Sequence, residues 1–131
     1  MLKYWLLVLA LCPAFADHGG LLTVHFVDVG QGDAIALRTP RGRWIVVDAG
    51  GGRAARDAGR RIVLPYLRRW GGDVAMLVFT HPHDDHVGGA AALIARLRPG
   101  EVRDAAFAGT SPAYREALVA TRDAGIPWRR I

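Results

Sequence analysis

The stretch T-H-P-H-D-D-H-V-G-G, residues 80–89, places three of the chain's five histidines and two aspartates within positions 81–86. Neutral imidazole and carboxylate together suit zinc and other first-row metals. Whether they converge depends on how the chain presents the loop, and the flanks answer that. V-A-M-L-V-F-T, 74–80, is apolar without alternation, as a fully buried strand would be. V-G-G-A-A-A-L-I-A-R-L-R, 87–98, reads as a helix stopped by Pro99-Gly100. The loop therefore leaves the carboxyl end of a buried strand, where open sheets usually place their chemistry. In an extended loop His81 and His83 project to the same side. Asp85 and His86 follow after a turn and can point the other way, so two ligands to each of two metals is geometrically natural. Gly88-Gly89 lets a backbone approach closely where the helix starts. His18, near a flexible start, and His25, inside an apolar strand, are expected to be structural.

The rest of the chain fits one domain of ordinary size. L-L-T-V-H-F-V-D-V, 21–29, is a strand, G-Q-G-D, 30–33, a turn, and A-I-A-L-R-T, 34–39, a second strand. A hairpin turn at 40–43 leads to W-I-V-V-D, 44–48, and A-G-G-G, 49–52, then breaks the chain. Helical spacing runs from about Asp57 to Trp70, with Pro65 predicting a kink or a late start. Residues 102–108 read as a strand and 111–124 as a helix, with Ser111 as N-cap and Pro112 at its first position. Residues 126–131 begin another strand. Early hairpin strands followed by strand-helix alternation predict an α+β fold, a mixed sheet with helices on its outer face.

Residues 1–16 stand apart. One lysine, an apolar run from Trp5 to Cys12, Pro13 and then A-F-A have the pattern of a secretory signal, cleaved after Ala16. The run is too short to span a membrane, which takes about 20 residues. A short anchor, a buried first strand or a lipid on Cys12 are the alternatives; Leu11 is not the small residue a lipobox carries. The expected product is a secreted or periplasmic domain, 17–131, with no stable membrane insertion. It lacks cysteine, so it must rely on its core, a metal or an oligomer for stability. The net charge of +5 over the whole chain favours anionic partners, although an arginine-rich solvated surface has the same composition.

The run His81-Pro-His83-Asp-Asp85-His86 matches the H-x-H-x-D-H motif of the metallo-β-lactamase-fold hydrolases, and Val47-Asp48-Ala49-Gly50 resembles that family's upstream strand-end aspartate motif. The stretch H-F-V-D-V-G-Q-G-D-A, 25–34, resembles the opening of the β-lactamase-like domain of ComEC-type competence proteins and their soluble relatives. The resemblance implies an αβ/βα four-layer sandwich, of which this chain covers about the N-terminal half. It implies two zinc ions per complete site, with manganese as the alternative. His81 and His83 would bind the first, and Asp85 and His86 the second, with Asp85 also orienting the water between them. Asp84 occupies a variable position and would be solvated or support the ligands. Asp48 would hold the loop or simply cap its strand. Asp28, Gln31 and Asp33 would lie near the site mouth or form the turn around Gly30 and Gly32.

One departure matters. The family carries a further histidine, a bridging aspartate and a last histidine downstream, yet no histidine follows Gly89 here. The later acids Glu101, Asp104, Glu116 and Asp123 sit in no matching motif. The expectation is a piece of a longer protein; the alternative is a natural short form whose site a partner or dimer completes. The implied reaction is attack of a metal-bound hydroxide on a phosphodiester, a nuclease-like activity that Arg53, Arg56, Arg60, Arg61, Arg68 and Arg69 would suit. A β-lactamase or another ester, thioester or lactone hydrolase is the alternative, and a non-catalytic binding module the third.

Overall fold

The computed structural model describes residues 20–52, 56–105 and 109–131. The signal-peptide pattern at 1–16, with Cys12, and His18 lie outside the described residues, as do Arg53 and the last part of the expected strand at 102–108.

Six strands form one sheet in chain order: β1 (Thr23–Phe26), β2 (Ile35–Arg38), β3 (Trp44–Val47), β4 (Val74–Phe79), β5 (Glu101–Asp104) and β6 (Trp128–Arg130). The first three pair antiparallel, and β3 to β6 pair parallel. The hairpin between β2 and β3 closes through Gly42, whose amide donates to Thr39 O at 2.8 Å. Each parallel step needs a crossover, supplied by α1 (Leu64–Trp70), by α2 (Asp84–Val87) with α3 (Ala90–Leu97), and by α4 (Pro112–Asp123). Crossovers of one hand that advance in one direction put every helix on the same face. The core lies between that face and the helices: Trp44, Val46, Leu77, Phe79 and Val102 meet Val63, Leu67, Leu93, Ile94 and Ala117. The fold expectation of a mixed sheet with helices on one outer face is met. The other face carries Val24, Phe26, Ile35, Leu37, Ile45, Val47, Met76 and Val78, all partly or fully exposed.

Local differences from expectation have local causes. The sequence predicts a first strand over 21–29, but the strand runs Thr23–Phe26; Val27 N makes one more bond, to Ala34 O at 2.9 Å, before Asp28 Oδ1 accepts from Gly30 N at 3.1 Å and turns the chain. The helix expected from Asp57 begins with one wide turn, Gly59–Val63, in which Leu64 N donates to Gly59 O. Pro65 has no amide to offer, so regular helix starts around it, at Leu64. Asp57 caps this segment, its Oδ1 accepting from Arg60 N at 2.8 Å. In place of the single helix expected at 87–98, two helices flank Gly88 and Gly89, because Gly89 N donates to Gly50 O and His86 O accepts from Ala49 N rather than within the helix. Ser111 caps α4 as expected, accepting from Tyr114 N at 3.1 Å. Tyr114 then donates its hydroxyl to buried Asp104. Burial, then that carboxylate, pushes the Tyr114 hydroxyl up to about 12.

Candidate metal centre

The carboxyl ends of the central strands β3 and β4 and the turn between β1 and β2 meet at one end of the sheet. Backbone hydrogen bonds lace them together. Ala49 N donates to His86 O at 2.7 Å, Gly50 N to Asp33 O at 2.8 Å and Gly89 N to Gly50 O at 3.1 Å. Such contacts need backbones without side chains between them. A methyl group on Gly32 would lie 1.6 Å from Asp85 O, and one on Gly89 would lie 2.3 Å from Ala49 O. The glycines are what let three loops share one small volume.

Asp48 is the hub. It is buried, at 1% exposure, and adopts φ 58°, a left-handed conformation that aspartate tolerates better than most residues. That turn aims its carboxylate back at the loop after β4. Oδ1 accepts from Thr80 N at 2.9 Å, and Oδ2 accepts from Thr80 Oγ1 at 2.6 Å. Oδ2 also lies 2.9 Å from His86 Nδ1. A carboxylate only accepts, so His86 carries its hydrogen on Nδ1 and leaves the Nε2 lone pair free. The Thr80 hydroxyl, having given its proton to Asp48, can only accept from His81 Nδ1 at 2.9 Å. His81 therefore also presents Nε2. One buried carboxylate sets the orientation of two imidazoles, the arrangement by which metal-ligating histidines are commonly held.

The ring centroids of His81 and His83 are 4.7 Å apart, and those of His81 and His86 are 3.9 Å apart. Ligand atoms of His81, His83 and Asp85 fall within 4.8 Å of one another, as do those of Asp48, His81 and His86. The donor set, imidazole with carboxylate, fits a divalent first-row metal. Asp48 spends its oxygens on Thr80 and His86, which favours a holding role over ligation.

The remaining expected site residues separate. Asp33 Oδ2 lies 3.7 Å from His86 Nδ1, with its side chain 65% exposed, so it does reach the rim. Gln31 lines a cleft of about 320 Å³ beside Asp84 and Asp85. Asp28 closes its own turn. Asp84 leans toward α4, where its Oδ1 is 3.4 Å from Ala113 N. His25 is structural, its Nδ1 bonding Tyr66 Oη at 2.7 Å and its Nε2 bonding Thr23 Oγ1 at 2.9 Å. The sequence pattern does not single out Thr80; its one signal there is a hydroxyl residue just before the first histidine. Arg56 belongs by sequence to a basic helix, yet it lines the cleft.

Comparison with known proteins agrees with this geometry. Residues 27–130 match the metallo-beta-lactamase superfamily. The chain is also similar to Recombination protein 2 of Haemophilus influenzae, 31% identical over 100 residues, which covers 76% of this chain. The same alignment takes in 13% of that relative, so the chain spans a small part of its length. Members of this superfamily are generally metal-dependent hydrolases. With H-x-H-x-D-H on the loop after β4 and an aspartate at the end of β3 holding it, the chain belongs to the metallo-beta-lactamase superfamily.

Proposed function

We propose that the protein hydrolyses phosphodiesters, in a nuclease-like reaction, with His81, His83, Asp85 and His86 as metal ligands. Zinc is the metal that the imidazole-carboxylate set favours, with manganese second. When bound, the metal supplies Lewis acidity and a water of lowered pKa. The chain's own part is orientation. Asp48 and Thr80 hold the two imidazoles with Nε2 outward, and Asp85 borders the cleft in which a substrate would sit. The observation that carries the reading is the Asp48 network: a buried carboxyl group in left-handed backbone, bonded three times to Thr80 and His86. Two features favour a phosphodiester over a β-lactam: the cleft holds an arginine, and the relative is named for recombination.

We also place the protein outside the cytoplasm, on the pattern at 1–16. Among the described residues no helix is long and apolar enough to cross a membrane. The test is turnover of bis(4-nitrophenyl) phosphate, a single-stranded oligonucleotide and a chromogenic cephalosporin by the full-length protein with zinc or manganese. Phosphodiester cleavage that disappears in His81→Ala is expected. Cleavage of the cephalosporin alone would replace the proposal with a β-lactamase.

A further inference from the structure

Five of the basic residues between β3 and β4 are described: Arg56, Arg60, Arg61, Arg68 and Arg69, all exposed. Only Arg56 lines the cleft next to Asp85. Its place is set by backbone. The Arg56 backbone lies against Gly52, where a methyl group would be 2.0 Å from Arg56 O. Ala58 N donates to Gly51 O at 3.0 Å and ties the two segments together. The neighbouring Asp57 is occupied elsewhere: its carboxylate caps the helix and feels the charge of Arg60. Among the described residues no carboxylate lies within ion-pair distance of the Arg56 guanidinium. The cleft is thus bordered by Asp84 and Asp85 together with one arginine that forms no ion pair among the described residues. At about 320 Å³ it lies at the small end of ligand clefts, roughly 300–1,000 Å³.

We propose, on the phosphodiester reading above, that Arg56 binds a second phosphate of the substrate, next to the one being cleaved. A guanidinium offers paired donors that match phosphate oxygens, and it is always charged. Asp85, alone of the proposed metal ligands, is part of the cleft lining, so the scissile phosphate would sit against it and the neighbouring phosphate at Arg56. The preferred substrate would then be an oligonucleotide rather than a simple diester with one phosphate.

The test is binding of a fluorescein-labelled, cleavage-resistant phosphorothioate oligonucleotide to the full-length, metal-loaded protein, read by anisotropy across a salt series. Removing one side chain that touches a phosphate should shallow the slope of log affinity against log salt by about 0.7 to 1. Arg56→Ala should do so and weaken binding about tenfold, a typical effect of deleting one charged hydrogen bond of ~1.4 kcal/mol. Arg56→Lys should keep the slope and recover part of the affinity. Arg69→Ala, at the far end of α1, should leave affinity within about twofold, because a surface charge away from the bound phosphates adds little. Equal weakening in Arg56→Ala and Arg69→Ala would overturn the proposal by showing only a diffuse field. An unchanged Arg56→Ala in a protein that binds and cleaves oligonucleotides would overturn it alone. A wild type that neither binds nor cleaves them would remove the phosphodiester reading itself.

Discussion

Asp48 Oδ2 lies 2.9 Å from His86 Nδ1, joining the end of β3 to α2 across 38 residues of chain. The contact fixes the imidazole so that Nε2 faces outward. It forms because Asp48 takes φ 58° and turns its side chain away from the strand direction.

Asp48→Asn tests that role directly. Asparagine also tolerates left-handed backbone, so the fold should persist. Its amide cannot accept on both sides as the carboxylate does, and either Thr80 or His86 loses its partner. Zinc affinity should fall about 10- to 100-fold with an unchanged circular dichroism spectrum. Wild-type affinity by calorimetric titration would show that Asp48 is only a strand cap.

Metal should stabilise the folded chain. A ligand that binds only the native state adds about 2.7 kcal/mol at 100 times its dissociation constant. Thermal unfolding of the wild type should therefore shift upward with zinc and return with a chelator. His81→Ala and Asp85→Ala should lose most of the shift. The same rise in those variants would place the metal somewhere else.

Gly32 and Gly30 form a matched pair, at φ 95° and 77°. A methyl group on Gly32 meets the Asp85 carbonyl, whereas one on Gly30 meets nothing within 4 Å. Both alanine variants suffer backbone strain, but only Gly32→Ala must push Asp85 aside. We expect Gly32→Ala to cost about 1–3 kcal/mol in overpacking and to weaken zinc binding further than Gly30→Ala does. Equal zinc affinities in the two variants would mean that Asp85 is not held by this contact.

Asp57 sets up a pH dependence. Burial raises its pKa above 3.8, against the opposing pull of the Arg60 amide and charge. A raised folded value means that the protonated group favours the fold. That contribution is complete below 3.8 and is lost as pH rises through the raised value. Asp57→Asn keeps the capping oxygen and has no charge to bury. Its stability relative to wild type should rise with pH across that window, measured by urea unfolding. Asp57→Ala should instead cost about 1 kcal/mol at neutral pH, the usual worth of a cap. A pH-independent difference between the Asn variant and wild type would remove this account of Asp57.

Much of this arrangement is local and therefore legible in the sequence. Three histidines and two aspartates in six positions, a continuous apolar run before them and glycines after them define a strand, a loop and a helix start by spacing alone. The alternation of strands and helices likewise foretells a mixed sheet with helices on one face, because handed crossovers leave little choice. Other features depend on backbones meeting over long separations. The break between α2 and α3 comes where Gly89 N donates to Gly50 O and His86 O accepts from Ala49 N instead of joining the helical ladder, which no periodicity in 87–98 reveals. Thr80 acquires its role only when Asp48 arrives from another strand, and Arg56 parts from its fellow arginines only where its backbone meets Gly52 beside the cleft. Residue types and spacing determined which groups could bind a metal. Tertiary structure decided which carboxylate orients them and which charge faces the cleft, because those depend on distances between segments far apart in the chain.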